Sequence, residues 1–231
     1  MASDRPQNLF RSLDAKASSE IYPKLRKNAD RHFKAAELLN KSGDSSNAIA
    51  HLILGSEELV KSFVLVLQAH DFPVKKIASY DKLFTHHVAR HNLLKEFYSM
   101  YSFIAGVIAR PRWNKERSTL ENVTKVILYG LNILNHSIQN HAWWNEADKL
   151  KQNCFYLDYT TNGIADPAIF DQAGFNTADN FSQKFRKDLR LMTVIIEKAT
   201  PEDIAELKTV FIDTGLIEQI DESITRKKCI V

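Results

Sequence analysis

Residues 45–70 read SSNAIAHLILGSEELVKSFVLVLQAH, and this stretch decides the fold. It has no proline, and its apolar residues fall on several faces of a helix at once. Ala48, Leu52, Leu59 and Phe63 share one side; Ile49, Ile53, Val60 and Leu67 share the next. A helix apolar over so much of its circumference belongs at the buried centre of a bundle. At roughly 1.5 Å per residue it would run about 40 Å, but its middle is too polar for a membrane span. That middle is Ser56, Glu57, Glu58, Lys61 and Ser62. Glu57 stands four residues before Lys61 and Glu58 three, the spacings at which helical side chains meet. Charge in a buried helix is costly unless it is paired. The patch is therefore either an outward salt-bridged surface or a polar constellation facing another helix or a second subunit.

The rest of the chain fits such a centre. Its 231 residues suffice for one sizeable domain, or one domain with a modest appendage. A 44% hydrophobic and 26% charged content is ordinary for a soluble globular protein, and a net charge of +3 sets up no global field for nucleic acid. Seven glycines and six prolines favour long helices over a strand-rich fold. Cys154 and Cys229 are too few for a disulfide framework. The absence of a signal peptide or long apolar run points to the cytoplasm and away from the membrane. Cys229 is third from the end, where a prenylation box needs it fourth.

Residues 1–22 read as a polar lead-in. Pro23 suits the first turn of a helix over Pro23 to Lys41, whose stripe is Leu25, Ala29, His32 or Phe33, Ala36 and Leu39. Gly43 is a C-terminal cap, Asp44 to Ser46 open the central helix, and Asp71-Phe72-Pro73 ends it. A third helix is expected over about Ser79 to Ala109, with the stripe Leu83, His87, Arg90, Leu94, Phe97, Tyr101, Ile104 and Ile108. His87 and Arg90 stand where this stripe calls for leucine, and His91 lies four residues from His87. Arginine cannot shed its charge, so a histidine and an arginine together on an apolar face point to a shared network or functional role. Arg110-Pro111-Arg112-Trp113 makes a basic loop, and Ser118 with Glu121 forms a capping box for a long helix through about Lys151. Tyr156 to Tyr159 is a short extended run, followed by some twenty irregular residues. Thr177 is the expected cap of a helix over Ala178 to Lys198, and Thr200-Pro201-Glu202-Asp203 starts a last one ending at Gly215. The tail Arg226-Lys227-Lys228 reads as solvated.

The helix centred on Asn28-Ala29-Asp30, followed by Ala48 to Phe63 with SEELVK inside, resembles the AbiV branch of the HEPN superfamily. The Glu-Glu-x-x-Lys pattern of that branch falls on Glu57, Glu58 and Lys61. Its His-x-x-Lys/Arg pattern falls on His87 and Arg90, and a third, basic-to-aspartate pattern spans Lys151 to Asp158. The resemblance covers residues 28–160. It implies an all-α HEPN-like bundle with long central helices. Residues 23–160 would be the core, and residues 161–231 a loop with extra C-terminal helices packed on it. It further implies a homodimer acting in bacterial defence against phage by abortive infection, often as a metal-independent endoribonuclease with a composite site between protomers. The usual Arg-x(4–6)-His signature of such enzymes has one match, Arg26 to His32, which lies in the first helix rather than late in the core.

Metal-free RNA cleavage needs a base near neutral pKa, a cation for the phosphate and an acid for the leaving oxygen. His87 or His91 could be base or acid and Arg90 the phosphate clamp, with Glu58 and Lys61 orienting the histidine or balancing Arg90; Arg26 and His32 are the alternative pair. RNA is then the substrate, and a phage-encoded protein a possible activator. Two other readings compete: a non-catalytic module binding a phage or host protein, and a metal site on His87 and His91 lacking an evident third ligand. No cofactor motif is present, since the chain has no glycine-rich phosphate loop, nucleophile elbow or paired cysteines.

Overall fold

The computed structural model describes residues 9–86, 89–90, 92–94, 142–160, 163–213 and 215–225. Helix α1, Ala15–Lys41, and helix α2, Ser45–Ala69, form an antiparallel hairpin that supplies much of the core. The turn between them follows from Gly43, whose φ of +88° admits glycine without strain. Its N–H donates to the Asn40 carbonyl (3.0 Å) and that of Asp44 to the Leu39 carbonyl (3.0 Å), the Schellman pattern. Asp44 then caps α2, accepting from the Asn47 N–H at 3.1 Å.

α1 begins eight residues before Pro23, against the expected start. Asp14 caps it, accepting from the Ala17 N–H at 2.7 Å, and Pro23 lies inside the helix. Tertiary contacts outweigh the lost backbone hydrogen bond: Ser18 is buried, Ile21 and Tyr22 pack on the core, and Ser62 Oγ donates to the Tyr22 carbonyl at 2.9 Å. Upstream, Arg11 binds the Asp81 carboxylate at 3.0 Å and the carbonyls of Ile77 and Ala78, tying residues 9–14 to the segment after α2.

Beyond the end of α2 the chain turns at Asp71, which has a φ of +57°, and Pro73 opens a 3-10 turn. The continuous helix expected from Ser79 is not formed. A short α3, Lys82–Thr85, stops at His86, which is extended, and the chain is helical again at residues 89–90 and 92–94. The break exposes the Phe84 carbonyl to Arg90, whose Nη1 donates to it at 3.2 Å. The remainder of that expected helix, the Arg110–Trp113 loop and the Ser118 capping box lie outside the described residues. Residues 142–155 form α4, which buries Trp144, Ala147, Lys151 and Cys154 along one stripe.

The run after α4 is a two-stranded antiparallel hairpin, β1 (Asp158–Thr160) with β2 (Gly163–Ala165), rather than wholly irregular. α5 covers Gln172–Lys198 and is capped by Asp171, not Thr177, which sits inside it with its hydroxyl on the Ala173 carbonyl. Its buried residues Phe175, Ala178, Ser182, Phe185, Leu189, Met192 and Ile196 alternate at three and four, a stripe laid against α2. Thr200 and Asp203 cap α6, Pro201–Asp213, reciprocally as expected. A further helix, α7 (Leu216–Thr225), follows Gly215 and seats Ile217 and Ile220 in the core. The 226–228 tail lies outside the described residues. The architecture is all-α but for the small hairpin, and no described helix is long and apolar enough to cross a membrane.

One close approach fixes the α1–α2 distance. A Cβ built on Gly55 would lie 2.7 Å from Cε1 of Phe33, a buried ring with the Arg186 guanidinium over its face at 4.1 Å. Gly-to-Ala within a helix ordinarily stabilises by about 1 kcal/mol. Here Gly55→Ala should instead cost about 1–3 kcal/mol, the range for overpacking. A urea melt in which Gly55→Ala gains stability would show that the helices can part freely.

Candidate functional site

Burial divides the polar middle of α2 in two. Glu57 is 1% exposed and faces inward. Arg90 Nε donates to its Oε2 at 3.1 Å, and Lys151 Nζ bonds its Oε1 and also reaches Asp148 Oδ1 at 3.2 Å. Arg90 and Lys151 are themselves 6% and 3% exposed. Three chain segments distant in sequence thus meet at one carboxylate. Each contributes one residue from one of the three sequence patterns: Glu57, Arg90 and Lys151. Water is largely excluded here, so each charge needs its partners, and the network ties α2, residues 89–94 and α4 together. Cys154, one turn beyond Lys151, is a core thiol whose burial pushes its pKa up to about 12, so it stays protonated.

The other half of the polar middle lies along a stripe. Between Ser45 and Gln68, the residues of α2 that are only partly buried are Asn47, His51, Leu54, Glu58 and Lys61, at helical spacing. Glu58 and Lys61 form an ion pair there, with side chains 15% and 14% exposed. It is Glu58, not Glu57, that takes Lys61. At the other end of the stripe His51 meets His32 of α1. Their Nδ1 atoms are 3.1 Å apart and their ring centroids 5.3 Å apart. At that distance one ring donates its N–H and the other accepts, so the pair shares a proton and each retains Nε2 for exchange. Both pKa values are lowered. Burial acts first on His32, then the neighbouring His51, while Lys61 and Arg31 add to the lowering and Glu58 opposes it. Burial also lowers His51, with Asp44 opposing. The ring of Phe155 stands edge-on to His51 at 6.4 Å and walls the stripe from the α4 side.

The structure therefore gathers His32, Glu58 and Lys61 with a residue that sequence reasoning passed over, His51. It places Arg90 in the buried network and Arg26 on another side of α1, in a groove facing α5. His87 and His91 lie outside the described residues. Among the described residues no three His, Cys, Asp or Glu side chains gather in a way that could hold a metal ion. The signal for His51 was present: it interrupts the apolar run of α2 seven residues before Glu58, on the same face.

These features define an all-α bundle protein whose central helix carries a buried ion network and, along its partly exposed stripe, a coupled histidine pair. The chain matches the HEPN_AbiV family model, described as AbiV, over residues 17–180, and it belongs to that family of abortive-infection-type HEPN proteins. No curated protein and no solved structure matches it.

Proposed function

We propose that the chain is an infection-activated endoribonuclease of the abortive-infection type, with His32 and His51 as its proton-handling pair. The observation that carries this reading is the 3.1 Å Nδ1–Nδ1 contact on the part of α2 left open to solvent. Lowered pKa values keep both rings neutral near pH 7, as a general base requires. One ring takes the proton of an RNA 2′-hydroxyl at Nε2, and its imidazolium is held by the other ring's Nδ1. The 2′-oxygen attacks phosphorus and the bond from phosphorus to the 5′-oxygen breaks, leaving a 2′,3′-cyclic phosphate. The 5′-oxygen takes the Nε2 proton of the second ring as that ring's Nδ1 receives the shared proton. Lys61, balanced by Glu58, offers a cation to the charge developing on the phosphate. Arg90 enters as a positioning residue that fixes the α2 register through Glu57. The homodimer, with a second protomer completing the cleft, and a phage-encoded activator belong to this reading as proposals.

A non-catalytic interaction module draws on a different observation. The segment after α4 exposes Tyr156, Leu157, Tyr159, Ile164 and Ile169, with Tyr159 directly opposite Ile164 and 86% exposed. The two readings separate in infected bacterial cells expressing the chain. Cleavage predicts new RNA ends bearing 2′,3′-cyclic phosphate, formed by the chain purified from those cells even in EDTA, with DNA left intact. Intact RNA from that preparation would leave the module reading standing.

A further inference from the structure

The groove between α1 and α5 encloses about 830 Å³ and is lined by Arg26, Lys184, Arg186, Lys187 and Arg190, with Asp30 the one carboxylate among the described residues of its wall. Among the described residues of this groove five cations face one acid, a local excess in a chain whose net charge is only +3. Among the described residues none of the five is in an ion pair. Two are set by aromatic rings instead: Arg186 over Phe33 at 4.1 Å and Lys184 over Phe181 at 5.5 Å.

We propose that this groove is a track for the phosphate backbone of single-stranded RNA, separate from the histidine pair. Lys184, Lys187 and Arg190 recur every three residues along α5, a rise of about 4.5 Å per step, which sets cations in file as a strand sets its phosphates. Arginine forks suit phosphate oxygens. Asn180 and Gln183, on the same wall, carry amides that both donate and accept, the chemistry of base edges and ribose hydroxyls. A membrane-binding face would present apolar side chains for insertion, whereas the two leucines of this groove, Leu59 and Leu189, are buried at 6% and 4% exposed. The track rests on the RNA reading above only for its biological use; binding is measurable without cleavage.

The test is fluorescence anisotropy of the full chain with a labelled 20-nucleotide 2′-O-methyl RNA, which lacks the attacking hydroxyl and cannot be cut. Lys184→Glu/Lys187→Glu/Arg190→Glu should weaken binding at least tenfold at 0.1 M salt. The log–log salt slope should flatten by about 2, since each single-strand phosphate that a cation no longer neutralises removes about 0.7. Lys16→Glu/Lys76→Glu, exposed cations outside the groove, should bind as wild type does. If circular dichroism shows the triple reversal misfolded, Lys184→Gln/Lys187→Gln/Arg190→Gln should show the same direction of change. Unchanged affinity and slope in the folded variant overturn the proposal. So does a wild type that binds phosphatidylglycerol vesicles or polyglutamate but not the RNA. Loss of binding with cleavage absent throughout would sink the nuclease reading and leave the track intact.

Discussion

Glu57→Ala should cost about 3–5 kcal/mol, as the loss of one partner from a buried ion network does. The reason is what it leaves behind: the Arg90 and Lys151 side chains, 7% and 3% exposed, would face each other without the carboxylate that both now bind. At about 2–4 °C per kcal/mol for a chain of this size, the melting temperature should fall by about 10 °C. Glu58→Ala, one residue on, should cost about 1 kcal/mol, because its pair with Lys61 is open to water on one side. Joint replacement by Glu57→Leu, Arg90→Met and Lys151→Met should be milder than Glu57→Ala, since the carboxylate and both its cations leave together and Asp148, which loses Lys151, is 22% exposed. Calorimetry of the four proteins settles it. A Glu57→Ala melt within two degrees or so of wild type would mean that water reaches the network.

His32→Ala and His51→Ala should each reduce RNA cleavage by about 10²-fold or more, the usual worth of positioned acid–base catalysis. The double variant should be little worse than either single one, because the two rings act as one proton-sharing unit. Additive losses would separate them. The same pair makes stability depend on pH. Burial lowers both folded pKa values below the ordinary histidine value of about 6.5, to which the unfolded chain returns. Below that value the unfolded state binds protons that the folded state still refuses. The pair's contribution is thus fully present above about pH 6.5 and is lost as pH falls through the lowered folded values. Melting temperatures of wild type should therefore drop more between pH 7.5 and pH 5 than those of His32→Gln/His51→Gln, in which neither side chain titrates. Equal drops would show that the rings are not held neutral by the fold.

Much of this molecule is written in local chemistry. The breadth of the apolar surface on α2 demanded a buried central helix, and it is one, with residues such as Ile53 and Leu65 fully enclosed. Gly43, Asp44 and the Thr200–Asp203 pair marked helix ends through backbone geometry and hydrogen bonds that depend only on neighbours in sequence. Where local signals misled, a distant contact had outweighed them. Pro23 looked like a beginning, yet Asp14 and the packing of Ile21 and Tyr22 carry α1 past it. Thr177 looked like a cap, yet Asp171 starts the helix earlier and brings Phe175 into the core.

The sequence by itself determined the bundle class, the central helix and the presence of charge that had to be paired. Helical periodicity and the cost of burying apolar or ionic groups act residue by residue, so they can be read without coordinates. Only the tertiary structure decided which charge met which. Glu57 finds Arg90 and Lys151 at separations of 33 and 94 residues, while Glu58, its neighbour, stays with Lys61. The pairing of His32 with His51 was likewise hidden, because it depends on the rotation of α1 about its axis against α2. That rotation is set by Gly55 meeting Phe33 and by Ser62 meeting the Tyr22 carbonyl, contacts between helices that no single stretch of sequence contains.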